Sequence, residues 1–599
     1  MKAIARFATR RPLLVLLAWL ALAIGLQLAS SVWGGELRET YNLAGSDSQA
    51  AYDLLDERFP AQSGDTDTVV IAVSGGTFAD AEVKAAVAEL SQELAEVHSV
   101  EAVVGPYDRA GAAQLSPDGT VAYLTVTYDA SAYNLPIEDI RAVGEIAADA
   151  NGEAAGDAQL TVGHGGQAAS RLTNPEVGPG EMIGVAIAAV ILFIAFGSLM
   201  ATTVPLISAV VALAASLGIL GLVAAGMPIT SSGPTISVLL GLGVGIDYAL
   251  FIVNRHRLGL KAGRSVTDSV IAATTTSGRA VVFAGITVVI ALAGMFVPQI
   301  AFLSGLAIAA AITVLLSVAA SITLVPALLQ LYGIRVLPRR VRQRVAAEGS
   351  LHDAVPEPGR FARLVERRPW LTSLSALAVL GVLAFPALDM RLGNADQGND
   401  PEGQPTRVAY DLIAQGFGEG ANGPLVVVFD LGDHGPFNPA APPATLMAYI
   451  DDIAQDPQVE YVIGPIPNAD GSAALIQAIP VGSPQDESTE LLVERIREDY
   501  LKEAPADGLA AHVGGSVASS IDFTDALADS LPVFLAVVIG LSVIVLTVAF
   551  RSLTLPLVGA AMNLLSAAAS FGIIVAVFQW GWGNQLIGVG EGGPIEPFA

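Results

Sequence analysis

The sequence predicts an α-helical polytopic membrane protein that carries two extracytoplasmic α+β domains and is built as an internal repeat. Three observations predict this class. The 599 residues are 53% hydrophobic and only 15% charged, whereas soluble proteins carry about a quarter charged residues. Apolar segments long enough to cross a bilayer recur along the chain. Most acidic residues lie in two long polar segments that separate the apolar ones, and the two halves of the chain repeat this layout. Short motifs accordingly recur at a spacing of about 350 to 360 residues.

Nine apolar segments are predicted to span the membrane, since each approaches or exceeds the roughly 17–25 residues that a bilayer requires. They lie at residues 13–33, 182–199, 204–225, 235–254, 280–297, 302–332, 370–388, 532–550 and 555–580. The first segment has the basic start of a secretory signal peptide. Its length, and the recurrence of its Arg-Arg-Pro entry before the seventh segment, favour a retained span instead.

The charge distribution predicts the orientation. Residues 34–176 hold 24 acidic and 6 basic side chains, and residues 389–529 hold 24 acidic and 5 basic ones. The N-terminal tip, the loop at 255–279 and the segment at 335–368 are net positive. Because short basic segments face the cytoplasm, we predict a cytoplasmic N-terminus and two acidic domains outside.

The domain organisation follows from these spans. We expect a first transmembrane helix (1–33), an extracytoplasmic domain (34–180), transmembrane helices 2–6 (181–333), a basic cytoplasmic linker (334–369), transmembrane helix 7 (370–388), a second extracytoplasmic domain (389–530), and transmembrane helices 8–9 with the end of the chain (531–599).

The repeat is visible in paired motifs. The pairs are Arg10-Arg11-Pro12 with Arg367-Arg368-Pro369, Val162-Gly163 with Val513-Gly514, Phe196-Gly197-Ser198-Leu199 with Phe550-Arg551-Ser552-Leu553, and Gly233-Pro234 with Gly593-Pro594. After its Gly-Pro the first half continues with three more spans, and the second half reaches Ala599. We therefore expect either that the chain is a fragment of a longer protein or that a partner chain supplies the missing spans.

Both polar segments show the same order of elements. In the first, strands and helices are predicted at 68–73, 80–97, 100–104, 121–128, 136–149 and 159–162; in the second, at 424–431, 444–454, 459–463, 473–481, 487–500 and 509–513. The order strand–helix–strand–strand–helix–strand is that of the split βαβ, ferredoxin-like unit.

Asp247 is the residue that stands out chemically. It lies near the middle of an apolar run, and an ionised carboxylate in a bilayer costs about 2.5–3.5 kcal/mol on insertion scales. We therefore expect it to face the protein interior and to take up and release a proton, with the hydroxyl of Tyr248 beside it. The residues that helical spacing places on its face are Gly243, Phe251 and Asn254.

Two neighbouring motifs complete the candidate site. Gly241, Gly243 and Gly245 would let another helix approach closely, and they fail as a nucleotide loop because they lie inside an apolar helix. The hydroxyl run that ends at Ser277, followed by Arg279, precedes the fifth span and would support a proton relay from the cytoplasmic side. The alternative for these two residues is ordinary helix capping and a topology signal.

Composition and motifs exclude several other classes. The chain has no cysteine and a formal net charge of −27, which excludes a disulfide framework and argues against nucleic acid as a partner. The six histidines show no metal-ligand spacing, and neither a Walker motif nor a nucleophile–histidine–carboxylate set occurs. We expect no metal, no cofactor and no enzyme activity.

Three stretches carry a resemblance to a known family. They are GVGIDYALFIVNR at 243–255, SGRAVVF at 277–283 and GPIEPF at 593–598. These motifs and the layout of spans resemble the MMPL (mycobacterial membrane protein large) branch of the resistance-nodulation-division (RND) superfamily, over essentially the whole chain.

The resemblance implies a proton-motive-force-driven exporter of lipids or other hydrophobic molecules in the bacterial plasma membrane. It implies that Asp247 and Tyr248 form one of two Asp-Tyr pairs of a proton relay, the second pair belonging to a tenth span. Two alternatives stay open, a non-transporting lipid-sensing or cell-envelope assembly scaffold and a proton-driven helper of protein secretion. The partners implied for the exporter are protons and membrane lipids or hydrophobic small molecules.

Overall fold

The computed structural model describes the chain in two compact units. The described residues are 1–35, 43, 45–59, 66–109, 111–130, 132, 135–173, 179–227, 229–230, 232–297, 300–348, 360–393, 395–432, 437–438, 441–501, 509–583 and 592–595. The helical unit comprises Met1–Thr40, Glu176–Val379 and Ser530–Leu564, and the α+β unit comprises Tyr41–Pro175, Leu380–Asp529 and Leu565–Ala599.

The elements follow in chain order. The helices are α1 Lys2–Arg10, α2 Pro12–Trp33, α3 Asp47–Arg58, α4 Ala81–Ala95, α5 Ile137–Ala150, α6 Gln167–Thr173, α7 Pro179–Phe196, α8 Leu199–Ala224, α9 Gly233–Lys261, α10 Val266–Ala293, α11 Ala301–Tyr332, α12 Arg339–Glu348, α13 Arg360–Arg367, α14 Pro369–Ala384, α15 Pro405–Phe417, α16 Ala444–Ala454, α17 Glu487–Arg495, α18 Ser516–Phe550 and α19 Thr554–Ile574. The strands are β1 Thr66–Ser74, β2 Val100–Val104, β3 Val121–Tyr128, β4 Ala154–Ala155, β5 Ala158–Gly166, β6 Leu425–Asp430, β7 Val459–Pro467, β8 Ala473–Pro480 and β9 Ala510–Gly514.

Eight helical stretches within the described ranges are long and apolar enough to cross a membrane. They are Pro12–Trp33, Leu199–Ala224, Gly233–Lys261, Val266–Phe296, Ala301–Val336, Pro369–Asp389, Ser516–Val548 and Thr554–Gln579. The remaining predicted span forms α7, whose described apolar part, Ile183–Phe196, is shorter. The chain is a polytopic membrane protein, as its composition predicts.

Small and branched apolar side chains form the core of the helical unit, where α8, α9, α10 and α11 pack with α2. Ile252 of α9 and Leu324 of α11 are fully buried there. The Trp19 indole of α2 donates a hydrogen bond to Thr323 Oγ1 of α11 at 2.9 Å. Pro12 at the first helical position of α2 suits a helix start, where its missing N–H is not needed.

Helix α10 begins earlier than the sequence predicts. The Ser265 side chain accepts a hydrogen bond from the Asp268 N–H and caps the helix at Val266. The hydroxyl run at 274–277 therefore lies inside the helix, and its three threonines bond back to their own helix backbone, as Thr274 Oγ1 does to the Val270 carbonyl. The alternative of helix capping by these hydroxyls is wrong.

The α+β unit holds two antiparallel sheets. The first has the strand order β2-β3-β1-β5-β4 and the second has the order β7-β8-β6-β9. In the first sheet β1 pairs with β5, and Val69 lies opposite His164. In the second sheet β6 pairs with β9, and Val428 lies opposite His512. Helices α4 and α5 cover one face of the first sheet, and α16 and α17 cover one face of the second.

The other face of each sheet is covered by a helix from the other half of the chain. Helix α3, which precedes the first sheet in sequence, packs on β9 and β6 of the second sheet. Helix α15, which precedes the second sheet, packs on β5, β1 and β3 of the first. Strand β1 is accordingly buried on both faces, with Val69 turned to α4 and α5 and Val70 turned to α15.

All twelve predicted strands and helices of the two polar segments are present, with small shifts at their ends. The longest discrepancy is the predicted helix 487–500, where α17 ends at Arg495 and a π-helical turn, Ile496–Tyr500, follows. Helices α3 and α15 are not among the predicted elements.

Candidate functional site

Asp247 lies halfway along α9, on a face of the helix that none of the described helices covers. Its side chain is exposed, contrary to the expectation that it faces the interior. The reason is geometric: the other faces of α9 are the ones that pack against α8, α10 and α11. No hydrogen bond or ion pair within the described ranges reaches the Asp247 carboxylate.

The uncovered face of α9 is a continuous stripe. Its members lie at three- and four-residue spacing and are all exposed; we call Leu239, Gly243, Asp247, Phe251, Asn254 and Leu258 the Asp247 stripe. Leu239 is 70% exposed and Phe251 61%. The stripe is thus apolar apart from Asn254 and one ionisable group.

Tyr248 points elsewhere. It is only 7% exposed, because one residue along a helix turns the side chain by about 100°. Its ring edge, Cε2, lies 3.8 Å from the position that a Cβ atom on Gly285 of α10 would occupy. The acid and the phenol of the predicted pair therefore occupy different faces of α9.

The three glycines of the motif have different surroundings. A Cβ atom on Gly241 would lie 3.0 Å from Thr313 Cγ2 of α11, and one on Gly245 would lie 3.1 Å from Ala209 Cβ of α8. Gly243 has no such atom within 4 Å. Gly241 and Gly245 therefore sit where helices meet, and Gly243 sits in the Asp247 stripe.

Ser277 and Arg279 lie on α10, half-buried and exposed respectively. Gly278 between them faces Met1 and Ile322. Among the described residues no hydrogen bond or ion pair joins either side chain to Asp247. The geometry thus brings Gly243, Phe251 and Asn254 together with Asp247 and leaves Ser277 and Arg279 without a bond to it.

Two residues near the end of α9, His256 and Arg257, are not among the predicted site residues. His256 is fully buried, and neither ring nitrogen has a hydrogen-bond partner among the described residues. Arg257 donates a hydrogen bond from Nη2 to the Phe196 carbonyl at 2.6 Å, and its guanidinium lies 4.7 Å from the centre of the Phe196 ring. Arg257 thereby caps α7, and its place in the basic run after Asn254 was the signal available in the sequence.

In the α+β unit, a buried polar cluster joins β1, β3 and β5. The Asp67 carboxylate lies 2.9 Å from His164 Nε2 and accepts hydrogen bonds from the Tyr128 hydroxyl and from the N–H groups of Ala168 and Ala169. Burial and the Asp67 charge raise the pKa of Tyr128 well above its usual range. This cluster fixes the start of α6 to the sheet.

A second cluster holds α3 on the second sheet. Asp47, the first residue of α3, lies 2.8 Å from His512 Nδ1 and accepts hydrogen bonds from the Val513 N–H and from Arg497. Burial by itself would raise the pKa of Asp47, but these hydrogen bonds and the Arg497 charge together lower it. Across the part of the chain that the structure describes, no three His, Asp or Glu residues are grouped as metal ligands.

The chain is similar to one protein family and to several of its members over most of its length. The MMPL family model matches residues 40–372 and 399–587. Membrane protein YdfJ of Bacillus subtilis is 32% identical over 98% of this chain and 77% of its own length. The mycolic acid-containing lipids exporter MmpL11 of Mycolicibacterium smegmatis is 30% identical over 97% of this chain and 60% of its own length. The heme uptake protein MmpL11 of Mycobacterium tuberculosis is 30% identical over 96% of this chain and 59% of its own length.

The chain therefore spans about three fifths of the length of these mycobacterial relatives. The family model covers most of its residues, including α9 with Asp247 and most of both sheets. On these grounds the chain belongs to the MMPL family.

Proposed function

We propose that this chain works in a proton-motive-force-driven transporter that exports lipids or other hydrophobic molecules across the plasma membrane. The observation that carries the proposal is the carboxylate of Asp247, halfway along an apolar helix long enough to span a bilayer. Family membership adds transport by relatives whose names refer to lipid export and to heme uptake. Both kinds of cargo are hydrophobic.

A charged carboxylate on the Asp247 stripe cannot face lipid without a cost of about 2.5–3.5 kcal/mol. Protonation removes the charge and most of that cost. A movement of α9 that takes Asp247 between a hydrated environment and a lipid-facing one would therefore be driven by binding and release of a proton. One charge moved through 100 mV supplies about 2.3 kcal/mol, so a few protons per cycle suffice for such a motion.

We propose that a further helix covers the Asp247 stripe and completes the relay. That helix would come from spans beyond those of this chain or from a partner chain. Gly243 in the centre of the stripe supports this, because a glycine without a close neighbour on its own side allows another helix to approach. Tyr248, Asn254, Ser277 and Arg279 are proposed to support the relay from neighbouring positions.

We further propose that the α+β unit lies outside the membrane and passes the substrate outward. Each sheet has the central strand order expected of a split βαβ unit, with its first strand between its third and its last long strand. The acidic content of both segments and the basic N-terminus support an outside location for the unit and a cytoplasmic N-terminus.

The test is proton-coupled transport by Asp247→Asn. The full-length protein of the source cell would be placed in vesicles with an imposed proton gradient, and proton uptake would be followed with a trapped pH-sensitive dye. We expect Asp247→Asn to lose at least nine tenths of the coupled flux. The matched control is Asp268→Asn, which removes an exposed carboxylate from the first turn of α10.

Lipid analysis of the same strains completes the test. The exporter predicts that hydrophobic cargo accumulates inside cells that carry Asp247→Asn. If the variant folds, moves protons at the normal rate and leaves the cell-envelope lipids unchanged, the transporter proposal is wrong. Mislocalised envelope proteins in a deletion strain, with normal lipids, would then favour the scaffold.

A further inference from the structure

Helix α1 packs one face on the helical unit and leaves another face uncovered. Ala5, Ala8 and Thr9 are buried where α1 meets α10 and α11. Outside this packed face, the Phe7 ring is 52% exposed and the Ile4 side chain is 37% exposed. The helix thus presents two large apolar side chains that the described residues leave uncovered.

Basic side chains flank the two apolar ones. Lys2, Arg6 and Arg10 recur at four-residue spacing, which places them along one side of α1, and all three are exposed. Residues 1–12 include no acidic side chain. Within the described ranges no hydrogen bond or ion pair engages these three charged groups. Cations beside an apolar surface suit a ligand that is anionic at one end and apolar at the other.

The second half of the chain repeats this helix. IARFATRRP at 4–12 corresponds to FARLVERRP at 361–369. The second stretch forms α13, which ends, as α1 does, immediately before an Arg-Pro pair. Leu364 stands at the place of Phe7 and is 47% exposed. Residues 362–367 are all exposed, so packing among the described residues does not account for the repeated pattern.

Both helices lead directly into a membrane-spanning helix, since Pro12 begins α2 and Pro369 begins α14. A helix with an apolar side and flanking Lys or Arg side chains lies in the plane of the membrane interface, with its apolar side at the boundary between headgroups and acyl chains. Each basic side chain near an anionic membrane surface strengthens association by about fivefold. The apolar residues therefore favour a lipid over an acidic soluble partner, and the charge favours an anionic lipid over a zwitterionic one.

We propose that α1 and α13 are a pair of in-plane helices that bind anionic phospholipids where the two halves of the chain enter the membrane. The lipid phosphates pair with Arg6 and Arg10 of α1 and with Arg367 of α13. Phe7 and Leu364 lie among the first carbons of the acyl chains. Each half of the chain thereby has its own attachment to the membrane surface, independent of any cargo.

The first test measures lipid preference. The full-length protein of the source cell is placed in phosphatidylcholine bilayers, and EPR spectra of trace spin-labelled phosphatidylglycerol and phosphatidylcholine give the fraction of each lipid that is bound to the protein. We expect phosphatidylglycerol to be preferred about threefold or more at low salt, and the preference to fall as salt screens the charges. Arg6→Gln combined with Arg10→Gln should remove about half of the preference or more.

The matched control removes the same charge elsewhere in the helical unit. Arg264→Gln combined with Arg335→Gln changes two exposed side chains outside α1 and α13, and it should keep most of the preference. Both double variants should unfold at the wild-type temperature, because each change is at an exposed position.

The second test locates the apolar side chains and does not depend on those variants. The 599 residues contain no cysteine, so Phe7→Cys and Leu364→Cys each carry a nitroxide at a single place within them. Oxygen concentrates among acyl chains, and a nickel chelate stays in water. We expect the labels at both positions to collide more with oxygen. A label on Ala262→Cys, an exposed control position at the C-terminal end of α9, should collide more with the nickel chelate.

Three results would overturn the proposal. The first is equal binding of the two lipids, or a loss of preference that is the same in the control. The second is a label in water at either position 7 or position 364, which is the result that an acidic protein partner predicts. The third is a preference that inorganic phosphate abolishes while chloride at the same ionic strength does not, because that result identifies a site for the free anion.

The outcome is independent of the proposed transport. Asp247→Asn should lose proton-coupled flux and keep the lipid preference, because Asp247 lies on α9 and on neither in-plane helix. Normal wild-type flux without a lipid preference would refute the in-plane helices alone. A lipid preference with normal flux in Asp247→Asn would refute the proton relay alone.

Discussion

His512 Nδ1 lies 2.8 Å from Asp47 Oδ1, although 465 residues separate the two along the chain. The contact joins helix α3 of the first half to the second sheet. In turn, helix α15 of the second half covers the first sheet, so the two halves exchange one helix each. The same exchange explains a repeated motif. Gly163 and Gly514, the glycines of the two Val-Gly pairs, lie where a Cβ atom would meet Ala409 and Ala51 of the exchanged helices.

The Asp47 cluster predicts how the stability of the α+β unit depends on pH. The pKa of Asp47 is lowered from its ordinary value of 3.8 by the hydrogen bonds and charge that oppose its burial. A carboxylate with a lowered folded-state pKa stabilises the fold above its unfolded pKa, and that contribution is lost as the pH falls through the folded value. We expect Asp47→Asn to destabilise the unit by about 1.5–3 kcal/mol near neutral pH, the range for hydrogen bonds to a charged group.

The measurement is thermal unfolding of wild type and Asp47→Asn between pH 3 and pH 7. The gap between the two should be widest above about pH 4 and should narrow below it. Asp53→Asn, a change at an exposed acid of the same helix, is the control. A gap that stays constant down to pH 3 would mean that the Asp47 charge does not hold α3.

Gly514→Ala should destabilise the α+β unit through α3. The added Cβ would lie 2.9 Å from Ala51 Cβ, closer than two methyl groups pack, so helix and sheet must separate at a cost of about 1–3 kcal/mol. Ala51→Gly removes the opposing methyl and should recover part of the loss in the double variant. A double-mutant cycle of unfolding midpoints gives the coupling, and purely additive effects would show that the two residues do not meet.

Gly540→Ala provides the reference for the glycine series. It lies inside α18, and a Cβ there has no neighbour within 4 Å. The change should leave the unfolding midpoint unchanged or raise it slightly, because alanine favours the helix.

Local patterns predicted most of the fold, because most of it is set locally. Strand β3 was predicted at 121–128 and is Val121–Tyr128, since branched and aromatic residues bounded by turn residues mark a strand within the sequence itself. Helices α3 and α15 were missed because each buries one face on a sheet formed by the other half of the chain. The residues next to these helices in the sequence therefore do not indicate the sheet on which each helix packs.

The candidate site, like the fold, was predicted where local sequence determines it and was not predicted where tertiary packing does. The cost of a carboxylate in an apolar run identified Asp247 from sequence alone. Its exposure depends on which faces of α9 the neighbouring helices occupy, and that is a tertiary property. Likewise the spacing of Gly241, Gly243 and Gly245 indicated close packing, but only the positions of Ala209 and Thr313 separate the packed glycines from the open one.

The repeat also exposes a strained position. Arg551 has a backbone φ of 50°, and its counterpart Gly197 has a φ of 62°. A left-handed conformation costs a side-chain-bearing residue about 1–2 kcal/mol, and glycine is nearly free of this cost. We expect Arg551→Gly to stabilise the helical unit by about 1 kcal/mol, measured as a raised unfolding midpoint in detergent.

Arg551→Ala separates backbone strain from the loss of the charge. It removes the guanidinium but keeps a Cβ atom, so it should give no gain. Equal stabilisation by the two variants would assign the effect to the charge.

Gly243 and Gly245 allow stability and transport to be tested separately on one helix. Gly245→Val should lower the unfolding midpoint of the helical unit, because its Cβ would press on Ala209 of α8 at 3.1 Å. Gly243→Val should leave that midpoint within about 1 °C, because no atom of the described residues lies within 4 Å of its Cβ and surface changes away from special features are usually small. If a further helix covers the Asp247 stripe during transport, the same valine blocks its approach, and Gly243→Val should lose most of the coupled proton flux while remaining folded. Normal flux in a folded Gly243→Val protein would show that the stripe faces lipid throughout the cycle.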